Sequence, residues 1–328
     1  MQQTRTFVVL CLLILTGVHA LAQTREKGPW WPHPIWGAED QAGASNWITP
    51  EKVLEAVRLV ETGRIYELGR TYERGMPLFG TRTYSLHVPG APTYGPWGKN
   101  GVVGNDEFLC TQVGQVGTQF DGLGHVGTRM TMADGTVQDV YYNGFTGGEI
   151  YGPDGLRRLG IEKVKPIITR GILVDLPAYK NLGRLSKDYE VTVEDIRGAL
   201  ARQGIDETSI RPGDAVLFRY GWADLWSEPA KYDDSPPGIG EAAARWVVER
   251  KLTMIGADSS GTEVTPDPDS QLVLPVHQEL LTRNGIFNLE NLDLDELAAA
   301  KTYEFLFVFT PVPFTGATGS PGRPLAIH

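Results

Sequence analysis

Cysteine is nearly absent from this chain: among 328 residues there are only Cys11 and Cys110. Cys11 lies in an N-terminal apolar stretch that reads as removable, so the mature chain is expected to hold one thiol and no intrachain disulfide. Stability must then come from a hydrophobic core, which about 300 residues supply amply. Cys110 reads as a small buried hydrophobe rather than a nucleophile. Positive charge is also short, with 30 Lys and Arg against 40 Asp and Glu, which argues against a nucleic-acid surface or attachment to anionic lipid. After the N-terminus no run reaches the roughly 18 apolar residues of a membrane span. The chain has neither a Gly-x-Ser-x-Gly elbow nor a glycine-rich phosphate loop followed by Lys.

Residues 1–22 have the layout of a signal peptide. Arg5 supplies the positive end, Phe7 to Leu15 the apolar stretch, and Val18-His19-Ala20 or Ala20-Leu21-Ala22 the small residues of a cleavage site. Removing them leaves 29 basic against 40 acidic side chains, a net charge of -11. The mature protein is expected to be exported, periplasmic or secreted.

Residues 23–50 gather Trp30, Trp31, Trp36 and Trp47 among prolines and read as an irregular N-terminal arm. A helix is expected from Pro50, capped by Thr49, with Val53, Leu54, Val57 and Val60 at helical spacing and Gly63 as its stop. A strand is expected between Phe108 and Val116. Further on, strand and helix alternate. "PIITRGILVDL", "GDAVLFRYGW", "LTMIGAD", "GIFNLENL" and "YEFLFVFTPVPF" read as strands. The helices fall at Thr192–Gly204, Gly240–Arg250 and Pro275–Leu281. This alternation predicts an α/β fold with helices covering the strands. Residues 51–328 form one domain in this reading, with no internal repeat or long linker.

Two groups of residues carry potential chemistry. The run Gln115-Val-Gly-Thr-Gln-Phe-Asp-Gly-Leu-Gly-His125 packs two amides, a carboxylate and an imidazole among glycines. If helix follows Phe120, Asp121 and His125 point to one side and can engage one centre. The alternative is a glycine-rich loop bonding to its own backbone. The second group is His277, at the start of a short helix, and Glu290, in an apolar strand where an unpaired carboxylate is costly. Glu290 needs a cation, either a metal or an arginine such as Arg219 or Arg245. Asp258 and Ser259 follow a strand end, a common place for ligand contacts. Tyr220, Trp222, Trp226 and Phe314 serve equally well as core or as a ligand wall.

Taken together, these segments resemble the metal-dependent cyclase-like hydrolases, a family that includes bacterial kynurenine formamidases and isatin hydrolases. Its signature, His-x-Gly-Thr-His-x-Asp-x-x-x-His, is matched here by QVGTQFDGLGH. The resemblance continues through "RGILVDL", "AARWVVERKLTMIGADS", "PVHQELLTRNGIFNLENL" and "FTGATGSPGRPLA", covering roughly residues 36–328. It implies the cyclase-like swivelling β/β/α fold. It also implies Asp121, His277 and Glu290 as metal ligands and His125 as a proton-transfer group or neighbour of the metal. Gln115 and Gln119 stand where the family places its first two metal-binding histidines.

An amide oxygen is a weaker ligand for zinc than an imidazole and suits harder ions. Three outcomes remain open: one divalent metal, Zn or Mn, on Asp121, His277 and Glu290; a harder ion that also engages Gln115 and Gln119; or no metal. The expected activity is metal-assisted hydrolysis of a cyclic or N-acyl amide, imide or lactone. His125 would be the base, and Thr118 or a backbone N–H would stabilise the oxyanion. The competing outcomes are a noncatalytic exported ligand-binding protein or a metal-free hydrolase. A small-molecule substrate is expected, with neither nucleic acid nor membrane as partner. The resemblance implies a homodimer or homotetramer.

Overall fold

Four consecutive strands rich in Val, Ile, Leu and Phe make the centre of the protein. The structure is a computed structural model that describes residues 27–90 and 92–328. The expected signal segment 1–22 and the first residues of the arm lie outside the described residues. Nine strands form one curled sheet: β1 (Ile65–Glu67), β2 (Gln119–Asp121), β3 (Ile167–Asp175), β4 (Ala215–Arg219), β5 (Met254–Ala257), β6 (Phe287–Glu290), β7 (Glu304–Phe309), β8 (Gly319–Pro321) and β9 (Leu325–Ile327). Their spatial order is β1-β9-β7-β3-β4-β5-β6-β2-β8. The central strands β3 to β6 are parallel, and β7 and β2 flank them antiparallel. The central four are buried along nearly their whole length, as expected of parallel strands with both faces covered.

The helices are where the sequence puts them. Helix α1 (Pro50–Val57) starts at Thr49, whose hydroxyl accepts the Lys52 N–H at 3.3 Å. It ends before Gly63: Arg58 and the residues after it close into single tight turns, with Leu59 N–H to Ala56 O and Val60 N–H to Val57 O. Lys52 is buried, and its Nζ pairs with the buried Asp214, which Arg170 also approaches at 3.5 Å, tying α1 to the sheet. Helix α2 (Val193–Gln203) opens with a capping box between Thr192 and Asp195 and closes at Gly204 in the left-handed region. Helix α3 (Glu241–Glu249) packs near α2 and near the turn Gln278–Arg283, which is wound as π-helix.

The arm is anchored by aromatics. Trp31 is buried, His33 stacks on Trp36 at 4.2 Å, and Trp36 meets Trp47 edge-on at 5.4 Å. The Asn143 amide donates to Gly37 O and Asp40 O, fastening the arm to the body.

Three expectations fail in the stretch from Phe108 to His125. The strand expected to run to Val116 stops at Thr111: Phe108–Thr111 pairs with Tyr84–His87 in a separate hairpin. Cys110 sits on that hairpin and is exposed, not buried, because a two-stranded ribbon offers no second layer to cover it. No helix follows Phe120 either. Gln119–Asp121 is a strand clamped between β6 and β8, and this pairing overrides the local helical spacing.

Candidate metal centre

Register builds the site. In the β2–β6 pair, Gln119 lies opposite Glu290 and Asp121 opposite Asn288. Side chains alternate across a strand, so these four share one face while Phe120 and Leu289 go to the other. Phe120 packs there between Phe287 and Phe309, at 4.9 and 5.0 Å. The polar face is thus held flat by an aromatic layer beneath it.

His277 enters from the turn Pro275–His277, with Nε2 3.5 Å from Asp121 Oδ2 and 3.3 Å from Glu290 Oε1. Glu263 fixes it from behind. One carboxylate oxygen accepts the Val276 N–H and the other the His277 N–H, both at 3.1 Å, and Oε1 also receives His277 Nδ1. With Nδ1 engaged, Nε2 turns to the carboxylates. Asn288 Nδ2 donates to Glu290 Oε1 at 2.9 Å and to Asp121 Oδ2 at 3.2 Å. Its Oδ1 accepts from the Thr262 hydroxyl. Thr262 has a φ of 60°, a costly conformation for a β-branched residue. Tyr220 Oη and Ile239 N–H hold it there through its carbonyl.

These residues fit a divalent cation. One ligand atom from each of Asp121, His277 and Glu290 lies within 4.8 Å of the others, and all three residues are buried. Asp121 Oδ1 is buried with no hydrogen-bond partner among the described residues, which is costly for a carboxylate unless a cation faces it. Asp121, Glu263 and Glu290 crowd one imidazole, so even a protonated His277 leaves excess negative charge. Burial opposes the His277 cation, yet bonds to Asp121, Glu263 and Glu290 outweigh it and raise the His277 pKa well above the ordinary value. Burial likewise opposes the Asp121 anion. The charges of His125 and His277, and bonds to His277 and Asn288, still hold its pKa below the usual carboxylate value. The arginines considered for Glu290 are engaged elsewhere: Arg219 with Asp175 and Asp295, Arg245 with Glu241.

His125 reaches the centre through a turn rather than a helix. Its N–H bonds to Gly122 O, and Nε2 comes within 3.8 Å of Asp121 Oδ1 with the side chain 21% exposed. It lines a cavity with Phe79, Arg82, Gln119, His277 and Glu290. Gln115 and Gln119 do not aim their oxygens at the cluster. Both oxygens accept from Arg82, at 3.4 and 3.2 Å, while Gln119 Nε2 donates to Glu290 Oε2 at 2.9 Å.

Three expected contact residues do not line the cavity. The Thr118 hydroxyl donates to Asn291 O and accepts the Arg70 N–H, so it braces two loops instead of facing the cavity. The Asp258 carboxylate accepts the Tyr220 and Trp222 N–H groups at 2.7 and 3.0 Å, and burial pushes its pKa up to about 6. Ser259 is buried beside it, and the cavity wall is made instead by Ser260 and Gly261. Tyr220 and Trp222 are buried in the core. Sequence reasoning missed Glu263, Asn288 and Arg82. Asn288 was legible as the residue two before Glu290 on the same strand face. Glu263 and Arg82 leave no local signal.

A curled sheet with two carboxylates and an imidazole converging at one end defines an α/β protein with a prospective divalent-metal cup. The chain belongs to the Cyclase family, whose sequence profile matches residues 66–264. A crystal structure described as a novel cyclase is 30% identical, with a TM-score of 0.77 over 89% of this chain and 98% of its own. Isatin hydrolase A from Ralstonia solanacearum is 20% identical, with a TM-score of 0.60 over 85% of this chain and 98% of its own. A predicted metal-dependent hydrolase from Bacillus stearothermophilus is 16% identical, with a TM-score of 0.51 over 81% and 98%. The latter two are alike in fold. No curated protein matches the sequence.

Proposed function

We propose that this protein is a metal-assisted hydrolase that opens an amide, imide or lactone bond in a small molecule. The observation that carries this reading is the buried Asp121–His277–Glu290 cluster with its unpartnered Asp121 oxygen, open to a cavity that His125 also lines. Asp121, His277 and Glu290 would hold one divalent ion. Two carboxylates and one imidazole suit Mn²⁺ or Zn²⁺. When bound, the ion supplies Lewis acidity to the scissile carbonyl and lowers the pKa of water. His125, at the cavity wall, takes a proton from the attacking water at Nε2 and returns it to the leaving nitrogen or oxygen. Glu263 keeps the His277 Nε2 lone pair on the cluster, and Gln119 and Asn288 orient Glu290. Similar structures described as an isatin hydrolase and a predicted metal-dependent hydrolase support the same reading.

The competing reading, a metal-free binding protein, requires an arginine on Glu290. Among the described residues the one ion-pair partner of Glu290 is His277. The proposal extends to an exported protein that associates with its own copies. Exposed Leu86, Trp97, Phe108 and Leu109 on the hairpins support that association.

The test measures metal content of protein purified without chelators and hydrolysis of a panel of cyclic amides and lactones, for wild type and His277→Ala. Stoichiometric metal and turnover that both fall in the variant are expected. If neither metal nor rate depends on His277, the proposal is wrong.

A further inference from the structure

Arg82 is a cation with no ion-pair partner among the described residues, on the wall of a cavity that Asp233 and Glu290 also line. It follows a tight turn, its N–H bonded to Phe79 O at 3.3 Å, and its guanidinium lies 5.5 Å from the centre of the Phe79 ring. Nη1 donates to Gln119 Oε1 at 3.2 Å and Nη2 to Gln115 Oε1 at 3.4 Å. Both partners are neutral amides. Among the described residues no carboxylate oxygen lies within 4.0 Å of it, although Asp121, Glu263, Glu290 and Asp233 surround the site. Asp233 lines the same cavity and feels the Arg82 charge through space, but makes no ion pair with it.

This arrangement has a chemical meaning. Two of the five guanidinium donors are committed to the glutamines, which fixes the plane of the group without cancelling its charge. A fixed guanidinium is the complement of a carboxylate, which it binds through paired N–H donors. Phe79, Pro236 and Leu274 line the same cavity and offer an apolar surface for the rest of a small molecule. His125, His277 and Glu290 lie on it too, so a ligand held by Arg82 presents its other end to the metal cup. Gln119 joins the two halves directly, accepting from Arg82 and donating to Glu290.

We propose that Arg82 determines specificity, and that the substrate is a small, partly apolar organic acid whose carboxylate binds the Arg82 guanidinium while its scissile bond faces Asp121, His277 and Glu290. This rests on the cluster being the reaction centre. Gln115 and Gln119 then serve as the neutral cradle that keeps Arg82 charged and in place.

The experiment compares binding of benzoate and of its neutral counterpart benzamide by isothermal titration calorimetry. The proteins are wild type, Arg82→Met and Gln115→Glu, each with and without saturating Mn²⁺. Gln115→Glu leaves Arg82 present but sets a carboxylate against it, so it decides the matter if Arg82→Met fails to fold. Both variants are expected to weaken benzoate by about tenfold or more and to leave benzamide within about twofold. Benzoate affinity unchanged in either folded variant, or benzamide falling in parallel, overturns the proposal. Because binding is read instead of turnover, a protein that takes up no Mn²⁺ refutes the metallohydrolase reading separately. The benzoate preference of the metal-free protein still decides the role of Arg82.

Discussion

Gln119 and Glu290 face each other across the antiparallel β2–β6 pair, and the amide Nε2 of one donates to Oε2 of the other at 2.9 Å. The same amide accepts from Arg82 through its oxygen. One neutral side chain therefore links a cavity cation to a carboxylate of the prospective metal site. An imidazole whose one nitrogen ligated a metal would have only the other left, and could not bridge the two groups as well.

Replacing Gln119 with Leu removes both bonds while keeping an uncharged side chain of similar length. Glu290 then loses the donor that orients it, and Mn²⁺ affinity is expected to fall about tenfold or more, as for other partners of ligating groups. Titration of the chelator-treated protein with Mn²⁺ reads this directly. Affinity equal to wild type would mean that Glu290 is held by Asn288 and His277 alone.

Glu263 makes a stronger case because it touches His277 twice, at its N–H and at Nδ1, and also accepts the Val276 N–H beside it. Glu263→Gln keeps the shape but swaps one acceptor oxygen for a donor. The imidazole loses its fixed tautomer, and metal affinity is expected to drop about 10- to 100-fold. Circular dichroism should show a folded protein. If the metal binds as tightly as before, Glu263 is a loop brace and no more.

The raised His277 pKa makes a prediction about pH. In the metal-free protein, burial disfavours the imidazolium, but Asp121, Glu263 and Glu290 overcome it and lift the pKa well above 6.5. The folded state thus holds this proton more tightly than the unfolded chain does. The resulting stability is complete below about pH 6.5 and is lost as pH rises through the folded pKa. Urea midpoints of chelator-treated protein should fall from about pH 6 to about pH 9. Metal affinity should move the other way, because Nε2 must shed its proton to act as a ligand. Stability that is flat or rising over that range would show that His277 is not held as a cation.

Much of this architecture is legible in the sequence because local signals and tertiary demands agree. Thr192 with Asp195 and Gly204 bracket α2, and the β-branched and apolar residues on either side of Thr169 and Arg170 mark the nine-residue strand Ile167–Asp175. Legibility fails where a partner far along the chain decides. Asp121 and His125 sit at helical spacing, but Gly319–Pro321 and Phe287–Glu290 claim Gln119–Asp121 for the sheet. Asp258 ends a strand, as ligand-contacting residues often do, yet its carboxylate is consumed by two backbone N–H groups from the loop after β4. Arg82 comes from a segment outside the main sheet and meets the site only in three dimensions. Nothing in its neighbours' sequence announces it.

Thr118 separates support from chemistry. As an oxyanion donor it would need a free hydroxyl at the cavity, but here the hydroxyl donates to Asn291 O at 2.9 Å and accepts the Arg70 N–H at 2.8 Å. Thr118→Val preserves shape and leaves the buried Asn291 carbonyl and the half-buried Arg70 N–H unpaired, which costs roughly 1–3 kcal/mol. The expected result is a lower urea midpoint with kcat within about twofold of wild type, measured at a temperature where the variant is fully folded. A fall of about 100-fold in kcat with an unchanged midpoint would return Thr118 to the reaction, since one oxyanion donor is worth that much.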